Sequence, residues 1–125
     1  EDKHIVGVGY NGMPNGCDDS AYPWGRTGDF AEQKYPYVVH AELNAILNAS
    51  TSLKGCRIYV SLFPCNECCK AIIQSGIREV IYLSDKYAAL ETTKISKRMF
   101  DSAGVRWRRM ETELGEVPVN FMVKE

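Results

Sequence analysis

His40 and Glu42, with Cys65 and Cys68 downstream, are the side chains whose types and spacing carry chemistry in this sequence, and Pro64 stands directly before the first cysteine. One imidazole and two thiolates are ligands that Zn²⁺ favours, and a catalytic zinc takes three protein ligands so that its fourth position stays open to water. The pKa of that water falls towards neutrality, which supplies hydroxide at physiological pH. Glu42 lies two residues from His40 and is not required as a ligand, so its carboxylate is placed to move protons between the water and the group under attack. An amine leaving group needs such protons to depart.

The order H-A-E followed by P-C-x-x-C is the signature of zinc-dependent base deamination, in which water replaces an amino group on a ring carbon. A bare C-x-x-C also occurs in structural zinc sites and redox pairs. The His-x-Glu upstream and the proline before Cys65 separate this site from those. A structural site needs a fourth protein ligand, and Cys69, Cys17, Cys56 and His4 are the remaining His and Cys side chains. Cys69 follows Cys68 on an expected helix and therefore faces about 100° away. It reads as a small core residue, as does Cys56 at the head of an apolar strand. Cys17, in a polar loop, is either exposed or lines the site.

Particular elements must bring these side chains together. Leu43, Ile46 and Leu47 recur at helical spacing, which puts His40 and Glu42 at the N-terminal end of a buried helix. A second helix is expected over 65–75, opened near Pro64 and stopped by Gly76, with Cys65 and Cys68 on one face. Both helix N-termini then point at the metal, where their unpaired N–H groups favour thiolate over thiol. Strands are expected over 5–10, 57–63, 78–84 and 105–110, and a further helix over 88–103 closed by Gly104. Between the first strand and the zinc helix lie glycine-rich turns and a polar stretch reaching Lys34, a length that in a compact domain usually builds a ligand site. Alternating strands and helices imply an α/β fold with parallel crossovers in its second half. Val117, Val119, Phe121 and Val123 alternate like one more strand.

Composition sets the outer bounds. A chain of 125 residues reads as a single domain over 1–125, and its 45% hydrophobic and 25% charged residues are ordinary for a globular protein. No run approaches the roughly 18 apolar residues of a membrane span. With a net charge of −1 there is no basic tail for a polynucleotide, and Lys94, Lys97, Arg98, Arg106, Arg108 and Arg109 read as solvated faces of a helix and a strand. The first residues have no signal-peptide character and two of the five cysteines are assigned to zinc, so a reducing, cytoplasmic compartment is expected.

Four segments carry a closer likeness: GYNGMPNGC at 9–17, YPYVVHAELNAI at 35–46, LFPCNEC at 62–68 and SDKY at 84–87. They resemble the deoxycytidylate deaminase branch of the cytidine deaminase superfamily, over about residues 3 to 110. The resemblance implies a three-layer α-β-α sandwich with a mixed sheet, here without the family's first helix and strand, so that one strand edge and one sheet face are expected to be uncovered. It implies one Zn²⁺ per chain on His40, Cys65 and Cys68, with Glu42 as proton shuttle and dCMP as the substrate hydrolysed to dUMP and ammonia, which feeds thymidylate synthesis. Asn11, whose amide both donates and accepts, is the implied partner of the sugar or the base. Backbone N–H groups near Ala41 and Cys65 are expected to help position the base. Lys86 and Tyr87, beyond a strand end, are candidates for the 5′-phosphate, with Lys86 reading equally well as a solvated charge. A homo-oligomer, commonly a hexamer, is implied, with dCTP and dTTP as effectors, together with Mg²⁺, at a separate site involving Asn15 and Gly16. Two other readings stay open: a deaminase of the same fold acting on another base, such as adenosine in tRNA, and a zinc-stabilised nucleotide-binding subunit without turnover.

Overall fold

Val80, Ile81 and Tyr82 sit in a run of β-branched and aromatic residues free of glycine and proline, which suits a pleated, buried surface. In the computed structural model, which describes residues 4–111, that run lies in the central strand of a sheet. In chain order the elements are α1 (Ala41–Leu47), β1 (Arg57–Leu62), α2 (Asn66–Gln74), β2 (Glu79–Ser84), α3 (Glu91–Ala103) and β3 (Arg106–Arg109). Short 3-10 turns lie at Asp19–Ala21 and Phe30–Glu32. The sheet order is β1-β2-β3 and both pairings are parallel.

A parallel sheet joined in sequence order by right-handed crossovers carries its connecting helices on one face. Accordingly α2 packs against both α1 and α3. On that face Ile58, Val60, Val80 and Tyr82 meet Cys69 and Ile72 of α2 and Phe100 of α3 in one buried cluster. Phe63 sits edge-on to Tyr82, Phe100 and Trp107, with ring centroids 5.1, 5.9 and 5.6 Å away. Gly104 closes α3 in the left-handed region at φ 76°, a conformation that costs other residues more. On the opposite face Glu79 is nearly buried, with Arg108 Nε at 2.9 Å, Arg57 Nε at 3.2 Å and Arg106 Nη2 at 3.7 Å. Arg106 and Arg108 are therefore cross-strand partners of a buried carboxylate rather than merely solvated.

The second half follows the expected elements to within a residue or two, except that α3 begins at Glu91 rather than 88. Two successive turns, Ala88 N–H to Asp85 O and Leu90 N–H to Tyr87 O, occupy the backbone before it. The first half departs further. Residues 5–10 belong to no sheet, because a strand needs a neighbour and the described residues offer only one isolated antiparallel bridge, Gly12 with Val39. Gly9 instead lies directly on α1, where a Cβ would come within 2.3 Å of Ala45 N and 2.5 Å of Ala41 O. Among the described residues the sheet is thus parallel rather than mixed, and of the three expected layers they supply the sheet and one layer of helices. Residues 117–123, expected to alternate as a strand, lie outside the described residues.

Candidate active site

Two helix starts make the site. His40 is the N-cap of α1 and Cys65 the N-cap of α2, both with β-region backbone. An N-cap side chain usually turns back to accept an N–H of the first turn. Neither does so here. The imidazole of His40 instead meets the cysteines, its Nδ1 3.5 Å from Cys65 Sγ and 3.3 Å from Cys68 Sγ, and the three ligand atoms all lie within 4.8 Å of one another. Tetrahedral zinc, with bonds of about 2.0–2.1 Å to nitrogen and 2.3 Å to sulfur, holds N and S ligands about 3.6 Å apart. Donor set and spacing therefore fit zinc. Glu42, in the first turn of α1, lines the same cleft as His40 and Cys65.

Protonation follows from these contacts. A hydrogen bond from the Cys68 thiol, joined by His40, holds Cys65 down at about 4 despite burial. Cys68 is pushed up by that same bond and by its burial, so without a cation the pair shares one proton with the negative charge on Cys65. His40 is raised, first by its hydrogen bond with Cys65 and against its own burial. Each effect marks a place where a cation is favoured. Cys69 is fully buried, its thiol donates to Ser96 O at 3.5 Å, and burial pushes it up to about 11, so it stands apart from the metal group as a core residue.

The capping role that His40 does not perform passes to a residue far away in sequence. Ala41 N–H donates to Asn11 Oδ1 at 2.9 Å. With its oxygen engaged, Asn11 presents its NH₂ as a donor in the cleft that it lines. Ala41 N–H is thereby occupied, and Ala41 itself stands in the cleft wall. The segment around Asn11 is fastened by Asn44 Nδ2 donating to Tyr10 O at 2.8 Å, and by Gly12 and Val39 exchanging backbone bonds of 3.1 and 2.8 Å.

The cleft has a volume of about 330 Å³ and continues past His40, Glu42 and Cys65 along Leu62 and Phe63 to Tyr87, Leu90, Thr92 and Thr93. Tyr87 lines it; Lys86 does not, and its ammonium lies 5.1 Å from the centroid of the Tyr87 ring. Asn15 and Gly16 form an exposed turn, closed by Cys17 N–H to Pro14 O, that contributes nothing to the cleft wall. The polar stretch reaching Lys34 is not in the wall either. Its polar groups serve one another: Asp18 caps Ser20, Trp24 Nε1 donates to Asp19 O and Gln33 Nε2 to Gly28 O. Cys17 is partly buried beside Tyr22, whose hydroxyl is raised first by a hydrogen bond with Cys17, and it too lies outside the wall. Sequence reasoning missed Leu90, Thr92 and Thr93. Their position just past a strand end was the available signal, since ligands in α/β sheets gather outside the C-terminal ends of strands.

Comparison with known proteins gives this site its context. The family described as the cytidine and deoxycytidylate deaminase zinc-binding region matches residues 1–84. Deoxycytidylate deaminases from Pongo abelii and Homo sapiens are each 52% identical over 122 residues, covering 96% of this chain and 68% of theirs. The crystal structure of dCMP deaminase from the cyanophage S-TIM5 in complex with dCMP and dUMP superposes with a TM-score of 0.66 at 25% identity, covering 88% of this chain and 76% of that one. With the zinc-type triad, the adjoining carboxylate and the fold in agreement, the chain belongs to the cytidine and deoxycytidylate deaminase family.

Proposed function

We infer that this chain catalyses zinc-dependent hydrolysis of dCMP to dUMP and ammonia. The observation that carries the inference is the convergence of His40, Cys65 and Cys68 on one cleft with the Glu42 carboxylate beside them, in a chain half identical to deoxycytidylate deaminases. Zinc, when bound, supplies the Lewis acidity that brings the pKa of water towards neutrality. The remaining steps fall to the chain's own residues. Glu42 takes a proton from the attacking water as the C4–O bond forms and delivers it to N3 of the cytosine ring. It then takes the second proton from the new C4 hydroxyl and passes it to the amino group, so that the carbonyl forms, the C4–N bond breaks and ammonia leaves. One water is consumed and nothing is oxidised or reduced. Asn11, held by Ala41, offers its NH₂ to an acceptor on the sugar or base, and Leu62 and Phe63 wall the cleft.

The proposal extends to finer features by family likeness. Tyr87, at the cleft, and Lys86, stacked on it, are candidates for the 5′-phosphate. The exposed turn at Asn15 and Gly16 is the candidate effector contact for dCTP and dTTP with Mg²⁺, in a homohexamer. A cytoplasmic location fits that chemistry; no helix among the described residues is long and apolar enough to cross a membrane. The test is dUMP and ammonia formation from dCMP by purified protein with one zinc per chain, beside deoxycytidine and tRNA as competing substrates. Glu42→Gln should keep its zinc and lose turnover by at least the ~10²–10⁴-fold typical of a positioned acid–base group. A Glu42→Gln protein without zinc would refute the division of roles.

A further inference from the structure

We propose that Asn44 is a positioning residue for the reaction: it acts through Asn11, fixing where that carboxamide stands relative to Glu42. This rests on the dCMP reading above, in which Asn11 meets the sugar or base and Glu42 moves the protons. Asn44 is partly buried on α1 and stands outside the cleft wall, so it acts on a ligand only through its neighbours.

Asn11 is exposed, so packing does not choose its rotamer, and the ring of Tyr10 before it is 73% exposed and anchors nothing. What holds the pair is a reciprocal exchange with one turn of α1. Ala41 N–H donates to Asn11 Oδ1 at 2.9 Å, and Asn44 Nδ2 donates to Tyr10 O at 2.8 Å. The first bond sets the polarity of the carboxamide, because turning it over would bring NH₂ against N–H. The second holds the peptide plane that leads into Asn11, and Asn44 is the one donor to Tyr10 O among the described residues. Beyond Asn11 the backbone is held separately, by the exchange between Gly12 and Val39. The main-chain N–H of Asn44 is spent on His40 O, so its side chain is what reaches out of the helix.

The two bonds flank Glu42, with Ala41 directly before it and Asn44 just after Leu43. One helical turn therefore carries the proposed proton shuttle and both bonds that place the substrate contact, with the ligand His40 at its head. A shuttle and a contact held to the same turn keep their separation as substrate comes and goes, which is what alignment for reaction requires. Asparagine is a poorer helix former than alanine. If the task of residue 44 were merely to build α1, alanine would serve it better.

The experiment is a double-mutant cycle between Asn44→Ala and Asn11→Ala, read as kcat/KM for dCMP in zinc-loaded protein, with zinc content, melting temperature and exchange of the Ala41 amide proton followed in each. Asn44→Ala should keep its zinc and its melting temperature, since helix propensity rises as one hydrogen bond is lost. Its kcat/KM should nevertheless fall about ten- to a hundredfold, the scale of a misplacement near 1 Å. In protein already carrying Asn11→Ala it should cost almost nothing further. Asn44→Asp, of the same shape without the donor, should lose at least as much. Ala41 N–H should exchange faster in both Asn44 variants, because its acceptor is no longer held. Losses that simply multiply, an Asn44→Ala enzyme as active as the unmutated protein, or an unchanged Ala41 exchange would overturn the assignment. Failure of the unmutated protein to turn over dCMP would instead remove the functional reading beneath it, and Ala41 exchange would then still decide whether Asn44 positions Asn11.

Discussion

Between Arg57 and Arg109 the chain is ordered by a parallel sheet and a shared apolar cluster, whereas between Val6 and Val39 it is ordered by individual polar bonds and by glycines that lie against a helix. Taken in chain order, the second region, 57–109, would keep most of its packing if one contact were lost. The first would not: Asn11 is aligned by Ala41 N–H, Asn44 holds Tyr10, Ser50 N–H holds Val6, and Gly9 has no room for a side chain. The metal-ligating triad and the adjoining Glu42 span the seam, with His40 and Glu42 following the first region and Cys65 and Cys68 belonging to the second. Metal binding and substrate recognition should therefore fail separately when the regions are perturbed separately.

The largest effect is expected where the seam itself is cut. Cys65→Ser removes the N-cap ligand of α2, and because structural zinc affinities of ~10–16 kcal/mol appear as folding free energy, zinc should be lost together with activity and much of the thermal stability. Metal analysis and a melting curve decide this. A Cys65→Ser protein that kept stoichiometric zinc would mean that another side chain completes the site.

How much of this was legible in the sequence differs between the regions for a physical reason. The motif H-A-E…P-C-x-x-C names its own ligands, and the β1-α2-β2-α3-β3 half writes itself as alternating runs with Gly76 and Gly104 at the helix ends. Residues 5–10 alternate equally well, yet alternation shows only that a segment has two faces; pairing depends on a neighbour that no local pattern reveals. The link from Asn11 to Ala41 spans 30 residues, and Asn11 was legible as a ligand contact but not as the cap that frees His40 for the metal. The polar stretch reaching Lys34 was expected in the site for its length, but Asp18, Ser20, Trp24, Glu32 and Gln33 spend their side-chain hydrogen bonds within it. Thr93 was invisible because a threonine on the apolar face of a helix carries no mark of the cleft until the helix is placed.

A pair of substitutions should separate the regions directly. Phe100 is fully buried and central to the second region, so Phe100→Ala should lower stability by about 3–5 kcal/mol in denaturant unfolding while kcat at low temperature stays within severalfold. Gly9→Val should do the reverse. The atoms it would strike are backbone atoms of α1, so the segment must lift and carry Asn11 out of place, and a displacement near 1 Å at a substrate contact costs roughly a hundredfold in kcat/KM. Its loss should appear in activity with zinc retained. If Gly9→Val and Phe100→Ala gave the same profile of stability and activity, the distinction between the two regions would not survive.

The smallest effect concerns two cysteines four residues apart, Cys65 and Cys69, and whether the ligand cluster is formed before the metal arrives. Cys65 has its pKa held near 4 by Cys68 and His40, whereas Cys69 is raised to about 11 by burial. A group whose pKa is lowered is fully ionised above that value, so in gently chelated protein the alkylation rate of Cys65 should be flat from about pH 8 to 5.5 and fall only on approach to 4. An ordinary thiol, with a pKa near 8.5, loses about tenfold in thiolate per pH unit over the same interval. Cys69, inaccessible and protonated, should not react. Peptide mapping after iodoacetamide treatment at several pH values reads all three behaviours at once. If chelation dissolves the contacts, Cys65 reverts to the ordinary slope and Cys69 begins to react, so a sloping Cys65 profile would show that the metal, and not the two helix starts, assembles the site.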